Sequence, residues 1–152
     1  MSLNHDFILV DRTTHPSADY ALFINHPSLV HIHDDLMRYM VDSLRWIPTL
    51  NPAKKDECGL GINFYGPTAI VAEGAVIAER IFRAWAELFQ CSPEKLFLTG
   101  AWCSIEGKPN SGHYEKLWFE RNQVVSALIQ IADYCAQTTS SNGERYLLHF
   151  GI

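Results

Sequence analysis

Clustered positive charge is missing from this chain of 152 residues. It carries 12 lysines and arginines against 17 aspartates and glutamates, a net charge of −5, and its longest basic run is the pair Lys54-Lys55. A groove for nucleic acid needs concentrated positive charge to displace counterions from phosphates. Nucleic acid is therefore not an expected partner, and anionic membrane surfaces are disfavoured for the same reason. Long apolar runs are missing too. The longest weakly charged segment, Gly59–Ala72, is interrupted by Gly, Asn and Pro, so no membrane span is expected.

Cysteine is scarce and scattered. Cys58, Cys91, Cys103 and Cys135 form no C-x-x-C pair, which excludes zinc-ribbon and thiol-redox motifs. The N-terminus lacks a basic region followed by an apolar run. The expectation is a cytoplasmic protein whose thiols are reduced and mostly packed. Phosphate-cradling patterns are absent as well: there is no G-x-G-x-x-G and no G-x-x-x-x-G-K-[ST], so Gly59-Leu60-Gly61 and Gly66-Pro67-Thr68 read as plain turns. Trp102-Cys103-Ser104 is not a nucleophile elbow. No cofactor is implied.

What the chain does have is core material. Hydrophobic residues make up 47% and aromatics 12%. A single domain over residues 1–152 can bury roughly 70% of the surface its unfolded chain exposes, without metal or disulfide staples.

Phe7–Val10 reads as a buried strand, Arg12–Ser17 as a turn and Tyr20–Ile24 as a second strand. Ser28 is placed to cap a helix from Leu29 to about Ile47, ended by Pro48 and Pro52. Leu60–Tyr65 follows as a strand, then a helix from about Thr68 to Gln90 with a wide apolar face. Leu96–Ile105 reads as extended with a bend at Gly100, and Gly107–Gly112 as a loop. A third helix is expected from about His113 to Gln137, and a closing strand over Arg145–Phe150. The order β-β-α-β-α-β-α-β implies an α+β fold, a single mixed or mostly antiparallel sheet packed by three helices.

His31-Ile32-His33-Asp34-Asp35 is the densest run of metal-ligand and acid–base residue types. Two histidines two residues apart share a face on a strand but diverge by about 200° on a helix. Leu29, Ile32, Leu36, Met40, Ser43 and Ile47 make one helical stripe, and His31, Asp34, Asp35, Arg38, Asp42 and Arg45 the opposite one. The periodicity therefore predicts a helix, with His31 solvated, His33 at the edge of the core and no metal site.

Cys103 and His149 both fall on expected strands, and a thiol nucleophile needs a base within reach. A dispersed enzyme site would draw on His33, Cys103, His113 and His149. Aromatics give a different signal. Trp102, Tyr114, Trp118 and Phe119 flank the Gly107–Gly112 loop, and such a set can anchor a protein partner.

Lys95-Leu96-Phe97-Leu98-Thr99-Gly100 and Tyr146-Leu147-Leu148-His149-Phe150-Gly151-Ile152 resemble segments of small cytoplasmic immunity proteins from bacterial toxin–immunity pairs. The resemblance is confined to the C-terminal half. It implies a non-enzymatic protein that binds and neutralises a partner toxin. An acidic chain suits a basic partner, such as a basic toxin domain, through complementary charge. The expected function is thus a protein-interaction module of the immunity or inhibitor kind. The alternative is a small enzyme or ligand-binding domain built from the dispersed His and Cys residues. An apolar C-terminal strand at a sheet edge would also offer a route to homo-oligomers.

Overall fold

The computed structural model describes residues 3–13 and 19–152. Most of the turn expected at Arg12–Ser17 lies outside the described residues. The architecture is α+β. An antiparallel six-stranded sheet has the order β2-β1-β8-β5-β3-β4, and β6 and β7 form a separate two-stranded hairpin. The strands are β1 (Asn4–Asp11), β2 (Val30–His33), β3 (Pro48–Asn51), β4 (Glu57–Leu60), β5 (Pro67–Ile70), β6 (Lys95–Ser104), β7 (Gly112–Glu120) and β8 (Arg145–Phe150). The helices are α1 (Asp34–Tyr39), α2 (Val41–Leu44), α3 (Ala72–Gln90) and α4 (Arg121–Ser140).

Two-residue alternation in the central strands sends side chains to both faces of the sheet. Phe7, Ile70 and Leu147 join the larger core, with Phe82 and Phe89 of α3 and Leu128 and Ile131 of α4. The Phe7 and Phe82 rings meet edge-on at 5.8 Å. Ile8, Val10, Leu148 and Phe150 point the other way, where Phe23 joins them. β8 is hydrogen-bonded to β1 on one side and to β5 on the other. It therefore offers no free edge, and the C-terminal strand is not a route to oligomers. The edge strands of this sheet are β2 and β4.

Several expected elements are corrected. Tyr20–Leu22 is a 3-10 turn, not a strand; Asp19 caps it by accepting from the Ala21 amide. The helix expected from Leu29 begins as strand β2, followed by the short helices α1 and α2. Ile32, Leu36, Met40, Leu44 and Ile47 are all buried even so. A strand that runs into a helix can present one apolar side just as an uninterrupted helix does. Pro48 does not merely stop a helix: it opens β3, which pairs with β4. The strand expected at Leu60–Tyr65 lies at Glu57–Leu60 instead. Residues 67–70 are strand, so α3 starts at Ala72. The helix expected from His113 begins only at Arg121, after the nine residues of β7. The thiols are less packed than expected: Cys135 is buried, Cys103 half-buried, and Cys58 and Cys91 are exposed.

The first turn of α3 lies against β3 so closely that position 74 must be glycine. A Cβ there would come within 2.0 Å of the Pro48 carbonyl oxygen. Alanine normally favours a helix over glycine by about 1 kcal/mol, but here the clash is with rigid backbone. Gly74→Ala is expected to destabilise the fold by about 2 kcal/mol or more in urea titration. Gly59→Ala, where nothing lies within 4 Å, should be neutral or slightly stabilising. Equal effects at the two positions would contradict the packing of α3 on β3.

Candidate functional site

The β6–β7 hairpin is the most unusual surface of the protein. Its base is anchored by Leu96, Leu98 and Phe119, which pack against the main core. From Thr99 to Lys116 no residue is buried, and this distal part forms an arm whose inner side, at Thr99–Ala101 and Glu115, lines a cleft with Asp35, Arg38 and Tyr39. Strand pairing decides which side chains share its outer face. Phe97 lies opposite Trp118 and Thr99 opposite Lys116; the register then shifts by one residue, and Trp102 lies opposite Tyr114. The extra residue falls between Thr99 and Trp102. A bulge of this kind resets the alternation. Without it Trp102 would point to the opposite side from Phe97. With it, Phe97 (70% exposed), Trp102 (54%), Tyr114 (58%) and Trp118 (62%) share one face.

Contacts on this face hold the rings in place. Trp102 and Tyr114 meet edge-on at 5.0 Å. Gly112 makes room for the indole, since a Cβ there would lie 2.8 Å from the Trp102 ring. The Lys95 ammonium sits 6.0 Å from the centre of the Trp118 ring, within range of a cation–π attraction. Phe119, expected among the binding aromatics, points inward to the core instead. Phe97 also belongs to the face; it lies far from the loop in sequence, and only its pairing with Trp118 across the hairpin places it there.

Of the residues of the dispersed enzyme site, Cys103 and His113 are brought together, while His33 and His149 stand apart from them and from each other. Cys103 faces His113 across the hairpin. Burial and then the neighbouring Glu115 carboxylate push the Cys103 thiol up, away from a reactive thiolate. His33 caps α1: its Nδ1 accepts from the Asp35 amide at 3.2 Å. His149 is fully buried in the sheet.

Strand β2 does place His31 and His33 on one face, the arrangement that a His-x-His metal site requires. The helix expected there is thereby overturned. Each ring, however, is engaged separately: His31 Nδ1 with the Asp6 carboxylate, and His33 Nδ1 with the Asp35 amide of α1. Among the described residues no group of three or more His, Cys, Asp or Glu side chains is arranged to hold a metal ion. Nor is any helix among them long and apolar enough to cross a membrane.

Beneath the sheet's helical face runs a buried polar chain. The Arg38 Nε–H donates to Asp34 Oδ2 at 2.6 Å, and Asp34 Oδ1 lies 2.9 Å from His5 Nε2. His5 Nδ1 lies 2.9 Å from His149 Nε2. Burial alone would push the Asp34 carboxyl up, but the hydrogen bonds from His5 and Arg38 outweigh it and the net direction is down. An ionised Asp34 fixes the tautomers. His5 donates from Nε2, so its Nδ1 accepts from His149 Nε2–H. The Nδ1 of His149 is then a lone pair in the core, with no hydrogen-bond partner among the described residues. Burial holds both imidazoles below their ordinary range, His149 far below it.

Comparison of this chain with protein-family models, curated proteins and solved structures finds no match.

The imidazole pair predicts an acid-sensitive fold. Both rings stay neutral in the folded state, whereas the unfolded chain binds their protons near pH 6.5. Stability is therefore at its plateau above about pH 6.5 and falls as pH drops below it, by up to about 1.4 kcal/mol per pH unit for each ring. Asp34, with its lowered pKa, adds a further loss below its ordinary value near 3.8. Urea titration at pH 7.5 and 5.5 should show this fall, and His149→Leu should halve its slope. A stability unchanged between these pH values would contradict the buried neutral pair.

Proposed function

We propose that this chain is a protein-interaction module that binds its partner through the outer face of the β6–β7 arm. The observation that carries this reading is the grouping of Phe97, Trp102, Tyr114 and Trp118 on one exposed face. Leaving four large rings in water forgoes about 1.5–3 kcal/mol for each one not buried. Large exposed apolar patches on a soluble protein mark interaction sites. Tryptophan and tyrosine are also the side chains that most often dominate binding energy when a partner covers them. His33 and His149 do not join Cys103 and His113, and the Cys103 thiol is pushed up, which speaks against a thiol–imidazole site on the arm.

Charge supports a two-part division of labour. The aromatic face itself carries Lys95 and Lys116, with Glu120 at its base. The chain as a whole has a net charge of −5. A basic partner is attracted over distance by the whole molecule and held at close range by the rings. The finer reading, that the partner is a toxin domain neutralised on binding, rests on the resemblance to immunity proteins and on this charge balance.

That reading predicts that the gene adjoins one for a secreted toxin, whose purified toxin domain binds this protein in calorimetry. Trp102→Ala and Trp118→Ala should each weaken binding by about 30-fold, or about 2 kcal/mol. Both substitutions should leave folding stability within about 0.5 kcal/mol of the native value. Phe119→Ala should instead destabilise the fold. Undiminished affinity in both tryptophan variants would remove the arm from the interface.

A further inference from the structure

We propose that His31 and Asp6 form a general-base site that hydrolyses small uncharged carboxylic esters, in a cleft on the sheet face turned away from α3 and α4. Asp6 on β1 lies directly across from His31 on β2. Its carboxylate is almost fully buried and both oxygens are engaged. Oδ2 accepts from the Tyr20 hydroxyl at 2.6 Å, and Oδ1 lies 2.5 Å from His31 Nδ1. The hydrogen bond to Asp6 pushes the Tyr20 phenol up to about 12, so the tyrosine remains a donor at neutral pH.

A carboxylate can only accept, so it fixes the imidazole proton on Nδ1 and leaves Nε2 as a lone pair. No hydrogen bond engages Nε2 among the described residues, and the His31 side chain is 55% exposed. This is how a carboxylate orients the histidine base in acyl-transfer enzymes, where its role is to hold tautomer and direction. His33, two residues along, lacks such support because its Nδ1 is spent on capping α1.

The cleft has a volume of 350 Å³ and is lined by Asn4, Asp6, Tyr20, His31, Phe150 and Gly151. The Tyr20 and Phe150 rings, 4.8 Å apart and edge-on, give it an apolar wall. Among the described lining residues there is no lysine or arginine, and the Asp6 carboxylate lies in the wall, which disfavours a phosphate or another anion. That limits the substrate to an uncharged ester with its apolar part on the rings. Asn4 supplies a side-chain amide, the type of donor that steadies a developing oxyanion.

In the reaction, a water oxygen bonds to the ester carbonyl carbon while its proton passes to His31 Nε2. The tetrahedral intermediate collapses by breaking the bond to the alcohol oxygen. His31 returns the proton to that oxygen, leaving acid and alcohol. His31 is the catalytic residue; Asp6 and Tyr20 are positioning residues.

The test is hydrolysis of 4-nitrophenyl acetate by the full chain. Saturable turnover is expected, with His31→Gln losing about 100-fold or more in kcat/KM. Asp6→Asn should lower kcat while KM is retained, because the imidazole is no longer held in the required tautomer. His26→Gln and His33→Gln, which alter other exposed imidazoles, should be unchanged. His31 is exposed enough for its variant to fold, which the melting curve will verify. A rate that does not saturate, a His31→Gln variant as fast as the native protein, or equal losses in His33→Gln would each overturn the proposal. Faster turnover of 4-nitrophenyl phosphate would overturn the substrate class.

Discussion

The sheet depends on its last strand. β8 joins the β2-β1 half to the β5-β3-β4 half, with hydrogen bonds on both sides. Its side chains also divide between the two cores: Leu147 meets the helices, while Tyr146, Leu148 and Phe150 fill the opposite face. His149 reaches the buried chain that ends at Arg38, on the first helix of the protein. Strand order, both hydrophobic layers and the internal electrostatics therefore converge on six residues. A polar side chain at the centre of such a strand costs free energy unless it is hydrogen-bonded. The protein meets that cost with a second imidazole and a carboxylate, and leaves one nitrogen unmet.

With the sheet closed in this way, the β6–β7 arm is free of structural duty beyond its base. Leu96, Leu98 and Phe119 hold that base in the core; beyond it the aromatic face meets solvent, while Gly100 and Glu115 on the other side line a cleft with Asp35, Arg38 and Tyr39. The bulge at Gly100–Ala101 turns an ordinary alternation into a one-sided aromatic face. Its ring contacts steady the hairpin itself, but they bury little of the four rings. This one-sided exposed face is the observation on which the proposed binding role rests.

Much of this was legible in the amino-acid order, and the failures have physical causes. The α+β class, the closing strand at Arg145–Phe150 and the bend at Gly100 could all be read directly. β7 could not, because Leu117 sits seven residues before Val124 and continues the helical stripe of α4 backwards through the strand. Ile32 did the same for β2, extending the stripe of Leu36 and Met40. Periodicity alone does not separate a strand feeding a helix from a longer helix. Of the aromatic face, Trp102, Tyr114 and Trp118 were recognisable from their place beside the loop. Phe97 was not, since its membership depends on the register across the hairpin. His31 is solvated as expected, but its bond to Asp6 is not legible, because Asp6 is distant in the chain and only sheet pairing unites them.

Hydrogen–deuterium exchange of the protein with and without its bound partner tests the binding account most directly. The account predicts added protection over residues 95–104 and 112–120, with the edge strands β2 and β4 unchanged. Protection confined to those edge strands, with the arm exchanging as it does in the free protein, would contradict it.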